Sequence, residues 1–390
     1  MNALPVIHGT VDPGFAPCLD AFRANFAEDG EQGAACAIYL DGKPVVDLWG
    51  GVADAARGLS WERDTVAPVF SVTKGVAALC ILSEVSNGSI DLERPLAHYW
   101  PEFAAHGKGR VSVRGALGHR AGVPLLSGDV TLADLRDTQG MAARLAAEPP
   151  LFEPGAAHAY HAFTIGWITS ELMRRVTGKE IGPWLRDTLA EPLALNLRIG
   201  RSIDDRTPTA VVEVPAHRDT PVIDADTVAA RAISLNGLFV PRLSGLSDAL
   251  NDPAIQRLEL AGANAVADAR SLARLYSKAI GGGGETSLLT PACLRDACET
   301  VSTGLPWGLD SPGPTWGAGL MLPWTGQPML GPGSFGHDGA GGALAFAHAP
   351  TGISFAYVRN RAGQPGIKDP LVYRLVTALA GCLGLAVPDY

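Results

Sequence analysis

Ser71 and Lys74 stand three residues apart in Phe70-Ser71-Val72-Thr73-Lys74, the only S-x-x-K in this chain of 390 residues. A serine hydroxyl is a poor nucleophile at neutral pH unless an adjacent base takes its proton. Residues three apart on a helix face the same way, and a lysine stripped of water can lose its own proton near neutrality and become that base. The residues that follow, Val76, Ala77, Ala78, Leu79, Ile81 and Leu82, are apolar on nearly every side of a helix, which marks it as buried. A lysine in such a segment is costly unless it is used or paired. The helix start also offers free backbone N–H groups and a field that favours a developing anion. The competing reading is a capping serine followed by an unrelated surface lysine, and the motif alone leaves both open.

Two further segments carry chemistry. In Glu153-Pro154-Gly155-Ala156-Ala157-His158-Ala159-Tyr160-His161, the tyrosine sits just before a helical run. A tyrosine beside a lysine ammonium is expected to have its pKa lowered, and it can then shuttle a proton between nucleophile and leaving group. The alternative is a packed ring with a satisfied hydroxyl. His158 and His161 are three apart, but no cysteine or third histidine nearby completes a ligand set, so no metal is expected. In Phe335-Gly336-His337-Asp338-Gly339-Ala340-Gly341-Gly342, the glycines let backbone approach a substrate closely. A strand edge laid there against the serine would contribute one N–H to an oxyanion hole, with Ser71 supplying the other. A purely structural glycine turn is the other reading. Gly331 to Gly336 matches G-x-G-x-x-G, but it contains Pro332 and no helix follows, which removes a dinucleotide site. Neither G-x-S-x-G nor a Walker A, H-E-x-x-H or EF-hand motif occurs, so no cofactor is expected.

The elements that must position these groups are readable in outline. Ala34 to Leu40 and Lys43 to Trp49 flank Asp41-Gly42, the pair that type I′ hairpins prefer. Ala343 to Phe346 and Ile353 to Val358 flank a turn-rich loop and predict a second hairpin. Helices are predicted over Val72 to Val85, Phe163 to Val176 and Asp268 to Ile280, each ending at or near a glycine. Strands at both termini with helices between predict an α/β fold: a mainly antiparallel sheet built from both chain ends, flanked by helices, plus a helical domain. The expected division is 1–85 with 300–390 for the sheet domain and 86–299 for the helical domain, with the site in the cleft between them. The run Gly281 to Gly284 is either a joint where the chain re-enters the sheet domain or a loose surface loop.

Composition narrows the partners. With 31 Lys plus Arg against 40 Asp plus Glu, the net charge is −9 and no run of five like charges occurs, so neither nucleic acid nor an anionic membrane is an expected partner. The charge-free stretch Leu375 to Pro388 contains Gly381 and Gly384 and is shorter than the roughly 18 residues that span a bilayer, so it reads as a terminal helix and tail. The first thirty residues show no basic start followed by an apolar block, hence no expected export signal. The six cysteines form no C-x-x-C pair and read as free thiols of a cytoplasmic protein.

Taken together, S-x-x-K at a helix start, the later tyrosine and an H-D-G triplet before a late hairpin resemble the serine β-lactamase and penicillin-binding protein superfamily. Ser71-Val72-Thr73-Lys74, Tyr160-His161-Ala162 and His337-Asp338-Gly339 most resemble the family VIII carboxylesterases, which share the class C β-lactamase fold. Asp91 to Pro95, Trp100-Pro101, His119 to Gly122 and Asn264 to Leu275 also look familial. The resemblance implies Ser71 as acylated nucleophile, Lys74 as its activating partner and Tyr160 as general base and proton shuttle. It implies an oxyanion hole from Ser71 and Ala340. Class C β-lactamases have Tyr-x-Asn and Lys-Thr-Gly where this chain has Ala162 and His337-Asp338, which removes an amide and a permanent cation that grip a β-lactam. The expected function is therefore hydrolysis of short-chain carboxylic esters, small-molecule substrates, with β-lactams, D-amino-acid peptides or amides, and acyl transfer as alternatives. His337, Asp338 and Gly339 are the expected substrate-binding residues. Phe152, Trp307 and Trp316 read either as an acyl pocket or as core.

Overall fold

The computed structural model describes residues 4–216, 227–240, 242–282, 287–363 and 369–386. Strands β1 (Ile7–Val11), β2 (Gly33–Leu40), β3 (Lys43–Asp54) and β4 (Leu59–Ser60) come from the first sixth of the chain. Short strands β5 (Ala67–Pro68), β6 (Leu197–Arg198) and β7 (Val266–Ala267) lie between, and β8 (Thr315–Trp316), β9 (Met321–Leu322), β10 (Ser334–Asp338), β11 (Leu344–His348) and β12 (Ile353–Arg359) come near the end. The large sheet runs β1-β3-β2-β12-β11-β10-β9-β8, with β4 on β3, and every pairing in it is antiparallel. The two chain ends therefore meet at β2 and β12, from Ile353 opposite Leu40 to Arg359 opposite Ala34. A second, three-stranded sheet runs β5-β7-β6.

Both predicted hairpins form. Asp41 and Gly42 both take positive φ, 47° and 81°, as a type I′ turn requires, and β11 pairs with β12 around a short 3-10 turn over Ala349–Thr351. β2 is buried on both faces along nearly its whole length, and its residues alternate between two cores. Ala35 and Ala37, with Ala345, Ala347 and Ala356 of the neighbouring strands, face the core shared with the helix that follows Ser71. Cys36, Ile38, Phe346, Phe355 and Tyr357 face the opposite core, under helix α1 (Ala16–Glu28) and the C-terminal helix Pro370–Cys382. Small residues on one face let helices lie close. The helix Ala269–Ala279 packs there against β2, β11 and β12, and Ser354 Oγ donates to the Ala273 carbonyl at 2.7 Å.

Helix α2 (Val72–Ser86) is buried along nearly its whole length. It sits between β10 of the sheet and the helix Thr164–Thr177, which ends at Gly178 with φ 78° as the sequence predicts. The helix Ala269–Ala279 starts at Asp268, whose carboxylate accepts from the Ser271 N–H at 2.7 Å. It belongs in sequence to the 86–299 stretch but in space to the sheet layer. Gly281 and Gly282 follow it, and a side chain on Gly282 would come within 2.7 Å of the Gly42 nitrogen in the first hairpin turn. Residues 283 and 284 lie outside the described residues. The segment Gly331 to Gly336 leads into β10 and not into a helix. Among the described residues, no helix is long and apolar enough to cross a membrane.

Candidate active site

The turn into α2 is built around Phe70, a non-glycine residue at φ 51°. Left-handed backbone at a bulky residue is uncommon and persists only where its surroundings impose it. They do so here: the Val69 N–H donates to the Ala265 carbonyl at 3.0 Å, and the Thr73 hydroxyl accepts from the Ala265 N–H at 2.9 Å. The β10 end closes over the same turn. A side chain on Gly339 would overlap the Val69 carbonyl, and one on Gly341 would approach the Phe70 ring to 2.7 Å. Ser71, the residue before α2, thereby stands between the helix and the strand end.

The Lys74 amine lies 3.1 Å from Ser71 Oγ and donates to the Gly262 carbonyl at 2.5 Å. The Tyr160 hydroxyl donates to Ser71 Oγ at 2.8 Å, and the Lys74 amine lies 4.7 Å from the centre of the Tyr160 ring. Lys74 is buried, and desolvation brings its pKa down to about 7, with Asp338 pulling the other way. A substantial share of Lys74 is thus a free amine at neutral pH. The tyrosine departs from the sequence expectation: burial, reinforced by the Asp338 charge, pushes its pKa up, outweighing the hydrogen bond to Ser71 that lowers it. Tyr160 rests as a neutral phenol that donates to Ser71.

His337 and Asp338 close the other side. Burial and the nearby Lys74 lower the His337 pKa to about 3, so the ring is neutral. Its Nδ1–H donates to the Asp338 carbonyl at 2.6 Å, and Nε2 is buried with no hydrogen-bond partner among the described residues. The Asp338 side chain is 40% exposed at the cavity, and the surrounding protein raises its pKa to about 6, against the Lys74 charge that lowers it. The backbone N–H groups of Ser71 and Ala340 donate to no described acceptor.

These groups open into a cavity of about 400 Å³. Its walls are mostly apolar: Phe163, Phe239, Leu246, Leu250, Trp316 and Met321. Trp316 stacks on Tyr160 with ring centres 5.6 Å apart. Of the expected substrate-binding residues, His337, Asp338 and Trp316 line the cavity and Gly339 and Phe152 do not. Gly339 is turned onto Val69 and spends its N–H on the Ala343 carbonyl at 2.8 Å. Phe152 packs on Trp307 at 5.6 Å, behind Pro306, Leu309 and His158, which form the wall in its place.

Gly262 is not foreseeable from sequence, because a backbone carbonyl has no residue signature. The loop that presents it is shaped by Asn264, whose amide donates to the Ile255 and Leu258 carbonyls at 2.8 and 2.7 Å. Nor was the wall from the segment 228–251 foreseeable. His161, one of the suspected metal ligands, has both ring nitrogens bonded to backbone, and no cluster of three or more potential metal ligands occurs among the described residues.

Comparison with known proteins agrees with this arrangement. The Beta-lactamase family model matches residues 20–378. The esterase/beta-lactamase LipL of Mycobacterium tuberculosis is 37% identical, across 97% of this chain and 87% of that protein. A crystal structure of a family VIII carboxylesterase superposes with a TM-score of 0.87 at 32% identity, covering 97% of this chain and 100% of that one. A penicillin-binding protein homologue from Caulobacter crescentus superposes with a TM-score of 0.84 at 35% identity over the same shares. With the fold, the helix-borne serine and lysine and the late H-D-G strand all in place, this chain belongs to the beta-lactamase family.

Proposed function

We propose that the protein is a carboxylesterase, a serine hydrolase that cleaves short, uncharged carboxylic esters through an acyl-enzyme on Ser71. One observation carries this reading: a serine within 3.1 Å of a desolvated lysine and 2.8 Å of a neutral tyrosine opens into an apolar cavity. The Lys74 free amine takes the Ser71 proton as Oγ attacks the ester carbonyl. The Ser71 and Ala340 N–H groups stabilise the oxyanion, a role in which each donor is worth about a hundredfold to a thousandfold in rate. Tyr160 hands its proton to the departing alkoxide and regains one from the Lys74 ammonium. Water then repeats the sequence on the acyl-enzyme, and the amine, phenol and hydroxyl return to their starting protonation.

The cavity also argues for esters over β-lactams. Its lining includes a neutral His337 and the Asp338 carboxylate, so among the described residues a substrate carboxylate meets no cation beyond Lys74 and one like charge. An ester makes no such demand and has a better leaving group than an amide. The six cysteines are all free thiols, which supports a cytoplasmic setting.

A chromogenic acyl ester series run against a chromogenic cephalosporin tests the reading, together with a fluorophosphonate. Esters should be cleaved with much the higher kcat/KM, and the phosphonate should add one equivalent of mass at Ser71. Ser71→Ala should lower kcat by on the order of a thousandfold or more. Equal or faster cephalosporin turnover would replace the ester reading with a β-lactamase one, and labelling elsewhere would remove Ser71 as the nucleophile.

A further inference from the structure

The mechanism needs the Tyr160 hydroxyl at Ser71, yet Tyr160 belongs to an irregular segment before a helix, with no strand or helix of its own to fix it. Three backbone–backbone hydrogen bonds and two between backbone and an imidazole tie that segment to residues 119–123, beside the Arg120 guanidinium that donates to the Gly155 carbonyl. The Leu151 N–H donates to the Gly122 carbonyl at 2.8 Å, the Gly155 N–H to the Arg120 carbonyl at 3.0 Å and the Ala159 N–H to the His119 carbonyl at 3.1 Å. The His161 N–H donates to His119 Nδ1 at 3.2 Å, and the Val123 N–H donates to His161 Nε2 at 3.2 Å. His161 Nδ1–H closes the loop on the Ala159 carbonyl at 2.6 Å. The residues before and after Tyr160 are therefore each held by an imidazole. The His119 ring also lies 5.1 Å from the Tyr160 ring and 4.5 Å, edge-on, from Trp316, which stacks on the other face of the site.

We propose that His119 and His161 are the positioning residues of Tyr160. They grip the backbone on both sides of it, and His119 also packs against its ring, so that the hydroxyl stays at Ser71. The geometry fixes their tautomers: His119 must carry its proton on Nε2 to accept at Nδ1, and His161 on Nδ1 to accept at Nε2. Burial keeps both rings uncharged, helped at His119 by the titratable neighbours His161, Lys74, His337 and His158. His119 takes φ 64°, a conformation that histidine and asparagine adopt more readily than most side chains. The inference rests on the role given to Tyr160 above.

The test compares kcat and KM for nitrophenyl butyrate, and the rate of phosphonate labelling, in the wild type, His119→Ala, His119→Asn, Tyr160→Phe and the pairs of each His119 variant with Tyr160→Phe. A displacement near 1 Å costs about a hundredfold in rate, so His119→Ala should lower kcat by that order with KM nearly unchanged. His119→Asn keeps an acceptor for the His161 N–H and should recover part of the loss. In the Tyr160→Phe background, either His119 change should cost little more, because the group it positions is gone. Equal losses in both backgrounds, or asparagine no better than alanine, would overturn the proposal, as would a fully active Tyr160→Phe. If His119→Ala does not fold, His119→Asn in the two backgrounds gives the same answer. Should the wild type not cleave the ester, the ester reading fails, and the labelling rates alone decide the role of the histidines.

Discussion

Replacing Lys74 with methionine separates the cost of burying an amine from the value of using it. Lys74 is 4% exposed, and its pKa falls from the ordinary 10.5 to about 7. Between those values the unfolded chain holds a proton that the native protein does not, so wild-type stability rises with pH across this window. Linkage with the two pKa values gives a native-state penalty of about 5 kcal/mol at pH 6 and about 2 kcal/mol at pH 9. Lys74→Met removes the penalty at both. It also removes the bonds to Ser71 and the Gly262 carbonyl, a loss that is largely common to both conditions. Relative to wild type, the variant should therefore lose about 3 kcal/mol between pH 6 and pH 9. Removing the cation also raises Asp338, which adds to the same trend. Urea unfolding of both proteins at pH 6, 7, 8 and 9 measures the difference. The same titration should give wild-type kcat/KM a limb that rises through about pH 7 as the amine becomes free. A stability difference that is flat with pH, or that moves in favour of methionine as pH rises, would refute the claim that the amine is desolvated.

Asp338→Asn removes the charge that holds the Lys74 pKa up, so the rising limb of kcat/KM should move to lower pH; a limb moving higher would contradict this. His337→Lys combined with Asp338→Thr should narrow the gap between ester and cephalosporin by about 1.5 to 3 kcal/mol, the value of a hydrogen bond to a charged group, read as roughly tenfold to a hundredfold in relative kcat/KM. Gly75→Ala should destabilise by about 1 to 3 kcal/mol as an overpacked core site does, because its methyl would overlap the Tyr276 hydroxyl and press on His337. That hydroxyl has no partner among the described residues, so Tyr276→Phe in the same chain should restore the thermal midpoint.

What the sequence discloses and what it hides divide along a physical line. Both hairpins, three helices and the gathering of Ser71, Lys74 and Tyr160 are visible because turn residues, periodicity and side-chain chemistry are local properties. The Gly262 carbonyl and the backbone bonds of His119 and His161 are contacts across long separations, and their acceptors carry no residue-type signal. The direction of the Tyr160 pKa turns on burial. A nearby ammonium argues for lowering, but the packing of Trp316 and His119 around the ring decides the balance the other way. Gly339 and Phe152 were placed by their neighbours in sequence, and β10 and the Trp307 segment turn them away from the cavity.

The alanine face of the sheet acts as a shim. Ala35, Ala37, Ala345, Ala347 and Ala356 are the thinnest chiral side chains available, and the helices above them stand at the height those methyls permit. Ser71 leads into α2 and Lys74 rides on it, and α2 meets the helix Ala269–Ala279 of this layer where Tyr276 abuts Gly75. The Ala340 N–H, by contrast, lies just past the end of β10, so the thickness of the layer bears on how far apart the two halves of the proposed reaction centre stand. Substitutions there touch no substrate, yet each added methylene is transmitted as displacement of one half against the other. In directed evolution of this scaffold, those positions should behave as a coarse focus control, changing rates toward all esters together, while the cavity wall sorts one ester from another.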